Sequence, residues 1–195
     1  SQWLAPQMAR RLKIKPLNTS DFTPFGMTLT HSGGRDRLYF LQQFEDFMKK
    51  NTSVWVNNPP KVNFPFSISK LEKHPFSPQV FVPMHECNYV AIACLSDSMG
   101  FPDVTTLRAF WVVGPTIVIY SKNTWHHGLL AIRDDLNFCV VQNFIGQDDD
   151  IFFKLDEEIL LIPFFLTESK YLFLNWMNKF VLGTLKLDSE LFSLP

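Results

Sequence analysis

The sequence is short of cysteine, of net charge and of long apolar runs, and each shortage removes a class of protein. Its three cysteines, Cys87, Cys94 and Cys139, are odd in number and form no CxxC pair, so neither a disulfide framework nor a thiolate zinc site is indicated. A reducing compartment follows as the expectation, cytoplasmic or mitochondrial rather than secreted. Eighteen Lys plus Arg stand against 19 Asp plus Glu, which leaves no cationic field for nucleic acid or an anionic membrane. No apolar run reaches the roughly 18 residues that a spanning helix needs, so the chain is not expected to be transmembrane. Internal repeats and low-complexity tracts are missing too, as is any H-x-H pair among the five histidines. The chain opens on Ser1 rather than methionine, which suits a removed targeting peptide, a trimmed start or a start at Met8.

What is there is apolar bulk. Of 195 residues, 46% are hydrophobic and 20 are phenylalanine, enough for one domain with a real core and room for an appendage. Short apolar runs rich in β-branched and aromatic residues recur at 53–57, 79–82, 89–95, 107–113, 116–120, 129–133 and 138–144, with turn signals between them. Close-spaced strands without intervening helices predict a mainly β protein, a sandwich or closed barrel, and we read a jelly-roll β-barrel. Before them, 13–27 reads as extended, with Asn18-Thr19-Ser20-Asp21 a helix cap or turn; 37–50 reads as helix or irregular loop. After Asp150 the character changes. Residues 159–166 are strongly apolar, and Thr167 is placed to cap a helix from Glu168 to Leu182, stopped by Gly183. That helix has almost no polar face, so it must be buried against its own barrel or another chain.

Three stretches then carry a likeness. Leu71-Glu72-Lys73-His74-Pro75 is followed by Gln79-Val80-Phe81-Val82-Pro83-Met84. Next come Pro102-Asp103-Val104-Thr105-Thr106-Leu107-Arg108-Ala109-Phe110 and Tyr120-Ser121-Lys122-Asn123-Thr124-Trp125-His126-His127. In content, order and separation they resemble the ureidoglycolate lyase family, from Leu12 to Asp150. The resemblance implies a cupin-like barrel over 12–150, usually a homodimer, and leaves 151–195 as a C-terminal extension of strand and apolar helix. It also implies a reaction: release of urea from ureidoglycolate to give glyoxylate in allantoin (purine) breakdown. A divalent metal, nickel in some members, is implied as a possible cofactor.

Eliminating urea from a carbinolamide needs a base for the hydroxyl proton, an acid for the departing nitrogen and a cation or N–H donors for the carboxylate. His126 and His74 are the candidates for acid and base. Arg108 is the candidate for the carboxylate, because guanidinium grips it through two parallel bonds. In a strand Thr106, Arg108 and Phe110 share one face, with Leu107, Ala109 and Trp111 on the other. Gln79 suits the ureido group, Lys122 the substrate or its urea carbonyl, and Arg37 is a further substrate-binding candidate through its match to an N-terminal motif. Neighbours on a strand point apart, so one of His126 and His127 is expected in the pocket unless the strand starts or bulges there. Each residue also has a plainer reading: Arg108 in a surface ion pair, His74 as a turn residue, His126 as a satisfied core imidazole and Lys122 as solvated.

The chain departs from the family pattern at several polar positions. Where bacterial members carry N-x-G and then R-x-H-D, this chain offers His31 or Ser32 with Gly33, and then Arg37, Tyr39 and Phe40. Ser121 and Gly128 replace a histidine and a proline. These changes, the phenylalanine content and the apolar extension support an alternative reading as a non-catalytic, lyase-derived subunit of a larger complex, with a mitochondrial complex as one option. A metal-dependent cupin dioxygenase is disfavoured because its ligands are missing.

Overall fold

The computed structural model describes residues 10–31, 33–39, 52–143 and 149–165. Among these residues, eleven strands and one short helix make up the regular structure. They are β1 (Arg10–Pro16), α1 (Thr19–Phe22), β2 (Gly26–Leu29), β3 (Thr52–Asn57), β4 (Phe66–Lys73), β5 (Gln79–Pro83), β6 (Asn88–Ser96), β7 (Pro102–Val113), β8 (Ile117–Tyr120), β9 (Trp125–Ala131), β10 (Phe138–Asn143) and β11 (Ile151–Pro163). Six of them close into a barrel in the order β1-β11-β4-β9-β6-β7, and five form a sheet ordered β2-β8-β5-β10-β3. Closure is completed by the parallel pairing of β1 with β7, which leaves the barrel without a free edge.

The mainly β expectation is met, and each expected strand run falls on a strand. Asn18 does cap a helix: its side chain accepts from the Ser20 backbone N–H, and α1 buries a single residue, Phe22. Expectations for the helix over 168–182 and for most of 37–50 lie outside the described residues. Ile151–Pro163 is a barrel strand seated between β1 and β4. By its contacts the chain divides into one unit ending at Ile162 and another beginning at Pro163.

Strand alternation produces two large apolar layers and a smaller cluster around Val80 and Ile119 of the sheet. One draws on all six barrel strands through residues such as Ile14, Leu71, Ile92, Leu107, Leu130 and Leu161. The other combines Tyr89, Ala91 and Phe110 of the barrel with Phe81, Val118 and Phe138 of the sheet, so it fills the space between them. Phenylalanine supplies the bulk of this second layer, while the alanines of β6 leave room for it. Phe22 and Phe25 enter the same layer and meet Phe110 at centroid distances of 5.3 and 6.0 Å.

One irregularity in β9 decides where its histidines point. Val90 pairs with Leu130 and Ile92 with His127, so β9 spends three residues against two on β6. The extra residue reverses the alternation. Leu129 and Ala131 face the layer between barrel and sheet, Trp125 faces the barrel core, and His126 therefore turns to the layer as well.

Candidate active site

Register brings the polar residues together. Glu72 on β4 is the Cα partner of His126 on β9, and His126 is the partner of Ala93 on β6. Across the facing sheet, Gln79 on β5 lies between Tyr120 on β8 and Gln142 on β10. The two rows meet beside a cavity of about 280 Å³ lined by Glu72, His74, Gln79, Gln142, Asn143 and Asp150, among others. That volume lies near the lower limit for ligand sites, about 300 Å³, and suits a small metabolite. Among the described residues that line it there is no lysine or arginine, whereas Glu72, Asp149 and Asp150 all contribute.

Each imidazole has its tautomer set from behind. His74 Nδ1 lies 2.9 Å from the Asp149 carbonyl and 3.0 Å from Asp150 Oδ1; both are acceptors, so Nδ1 carries a proton, and in the neutral ring Nε2 then presents a lone pair. That Nε2 is buried and has no hydrogen-bond partner among the described residues. Asp149 is itself fixed, its carboxylate accepting from the Phe76 N–H and the Ser77 hydroxyl. His126 is fully buried and stacks on the Tyr120 ring at 4.3 Å. Burial, and then the neighbouring His74, push its pKa down to about 3, so it is a neutral imidazole. Its Nδ1–H donates to the Thr124 carbonyl at 2.9 Å.

The other side of His126 is a meeting of lone pairs. Nε2 lies 3.0 Å from Gln79 Oε1 and 3.6 Å from Glu72 Oε1, and the Gln79 amide holds that orientation by donating to Gln142 Oε1 at 2.9 Å. Glu72, His74 and His126 present ligand atoms that all lie within 4.8 Å of one another. Burial holds the Glu72 carboxyl above its ordinary value, partly offset by His74. Acceptors converging without a proton between them repel one another, and a cation removes the conflict. Two imidazoles backed by hydrogen bonds, a carboxylate and an amide oxygen form a donor set that fits a divalent transition ion.

Of the residues singled out from sequence, His74, His126 and Gln79 come together here. His127 lies on the opposite side of β9, where its Nδ1 contacts the Gly128 carbonyl. Arg108 shares a cross-strand row with His126, two strands away through Ala93, hence about 10 Å off at the backbone. The aromatic layer of Phe22, Phe110 and Tyr120 occupies that side, and Arg108 lines a different cleft. Lys122 is exposed in the turn before β9, and Arg37 is exposed, with its guanidinium 3.3 Å from the Tyr39 hydroxyl. Neither lines the cavity. Sequence reasoning passed over Glu72, Gln142, Asn143 and Asp150. Glu72 stood in the first motif, two residues before His74, and that spacing on a strand was the available signal.

Among the described residues no helix is long and apolar enough to cross a membrane. The sequence pattern of the family described as ureidoglycolate lyase matches residues 9–161, a range that includes most of β11. A ureidoglycolate lyase of Escherichia coli O1:K1 is 30% identical over 150 residues, covering 72% of this chain and 92% of the relative. The Shigella boydii serotype 18 ureidoglycolate lyase is similar to the same degree and extent. With a barrel of this topology, His74 and His126 of two motifs brought within reach of each other and a match over most of its length, the chain belongs to the ureidoglycolate lyase family.

Proposed function

We propose that this chain releases urea from ureidoglycolate, leaving glyoxylate, in the cavity walled by Glu72, His74, Gln79 and Asp150, with the buried His126 against Gln79 and Glu72. The observation that carries the reading is the convergence of lone pairs from Glu72, His74 and His126 beside the amides of Gln79 and Gln142. In the reaction the C–N bond breaks and its electron pair leaves on the urea nitrogen. The hydroxyl oxygen gives up its proton, its electron pair forms the carbonyl, and a proton ends on the nitrogen. Asp150 carries that proton in our scheme. It lines the cavity, is half exposed and therefore able to exchange protons with water, and is steered by the His74 Nδ1–H.

His126 is not an acid in this scheme, since an imidazole whose pKa is pushed down to about 3 carries no second, acidic proton at neutral pH. It acts through its Nε2 lone pair, while Gln142 and Asn143 offer amide donors and acceptors matching the ureido group. A divalent ion would be held by His74, His126 and Glu72, with Gln79 Oε1 alongside. When bound it supplies the positive charge that an anionic substrate finds in none of the described lining side chains. The alternative, a non-catalytic subunit of a larger complex, draws support from no observation on the described residues.

Purified chain is expected to release urea and glyoxylate in equal amounts, and Asp150→Asn to slow both by about 10²-fold or more. Urea release no greater than that of heat-inactivated protein would overturn the reading. Chelator treatment gives a readout independent of turnover. It should lower the thermal midpoint of the wild type and leave Glu72→Gln unmoved, because only the former loses a ligand that binds the native state.

A further inference from the structure

On the far side of the aromatic layer lies a cleft of about 630 Å³, larger than the catalytic cavity and chemically opposite to it. Its floor is apolar, with Leu95, Phe25 and Phe110, and Lys13, Lys15 and Arg108 line it alongside a single acidic residue, Asp21. All three cations are exposed. Their arrangement is costly as it stands. Ile14 pairs with Ala109 and Lys15 with Phe110 in the parallel β1–β7 ladder, so one step back sets Lys13 beside Arg108 on the same face. Like charges next to each other across strands are destabilising. Among the described residues neither Lys13 nor Lys15 makes an ion pair within 4.0 Å.

Arg108 is also held ready. Its Nη1 donates to the carbonyls of Thr105 at 3.1 Å and of Leu107 at 2.9 Å, both in its own strand. These bonds fix the guanidinium plane and occupy one nitrogen. They leave the Nε–Nη2 edge, which is a bidentate fork for a carboxylate. We propose that this cleft is a second ligand site, which binds an organic carboxylate with its charge between Arg108 and Lys13 and its apolar body on Phe25 and Phe110. The volume falls within the range of small-molecule sites, about 300–1,000 Å³. This site is independent of the reading of the catalytic cavity, and its ligand need not be the substrate.

The test is calorimetric titration of the full chain with benzoate, with acetate and benzyl alcohol as the arms that lack the ring or the charge. Benzoate should bind saturably, and both other probes at least tenfold more weakly. Lys13→Gln and Arg108→Gln should each weaken benzoate at least fivefold, while Glu72→Gln leaves it unchanged. Lys13 is exposed and makes no side-chain bond among the described residues, so its variant tests the site even if Arg108→Gln disturbs the strand. Unsaturable benzoate binding, equal binding of benzyl alcohol or acetate, retention in Lys13→Gln, or loss in Glu72→Gln would each overturn the proposal.

Discussion

At the scale of single residues, burial sets the protonation states. The same desolvation that keeps His126 neutral lifts the thiol of Cys94, which is buried and points at the Asp103 carbonyl at 3.0 Å, to about 11. Because the folded pKa lies above the ordinary thiol value of about 8.5, the folded state holds the proton more tightly. The resulting stabilisation is complete below the ordinary value and is lost as the pH rises through about 11. Alkylation of the native protein at pH 8, followed by mass spectrometry, should label the partly exposed Cys139 well ahead of Cys94; equal rates would contradict this account of the thiol. His74 and His126 were readable in sequence because imidazoles beside a strand-flanking proline and after a tryptophan fall in recognisable motifs. Glu72 was not. Its role depends on pairing with His126 across 54 residues, and one strand taken alone makes such a glutamate look like a surface charge.

At the scale of elements, two short features aim the site. The extra residue in β9 turns His126 toward the layer between barrel and sheet and sends His127 the other way. The helix α1, a single turn, inserts Phe22 against Phe25, Phe110 and Tyr120. Truncation to Phe22→Ala should cost about 3–5 kcal/mol of stability, read from the urea midpoint with an unchanged slope. A loss under about 1 kcal/mol would show that the layer collapses around the gap. Strand positions were legible, since alternation and turn residues are local signals. Face assignments held for Arg108 and Phe110, but the sequence could not show that α1 would pack Phe22 against Phe110 and Tyr120 on that face. That packing is non-local, as is the two-strand separation that leaves Arg108 and His126, on one shared face, lining different clefts.

At the scale of the whole molecule, barrel and sheet enclose two unlike places on either side of one aromatic layer. One is small and walled by carboxylates and lone pairs; the other is larger, with a cationic rim on an apolar floor. The three motifs that carry the likeness divide between them: the one around His74 lines the first, with His126 of another held against its Gln79 and Glu72, and the one around Arg108 contributes to the second. Family membership fixes the barrel, and the position of the chemistry within it is the central claim. The most direct measurement is kcat/KM for glyoxylate formation from ureidoglycolate in the wild type, Glu72→Gln and Arg108→Gln, with each variant's fold checked by its thermal midpoint. The account predicts that Glu72→Gln loses about 10²-fold or more while Arg108→Gln stays close to wild type. The reverse pattern, with Glu72→Gln active and Arg108→Gln dead, would contradict it.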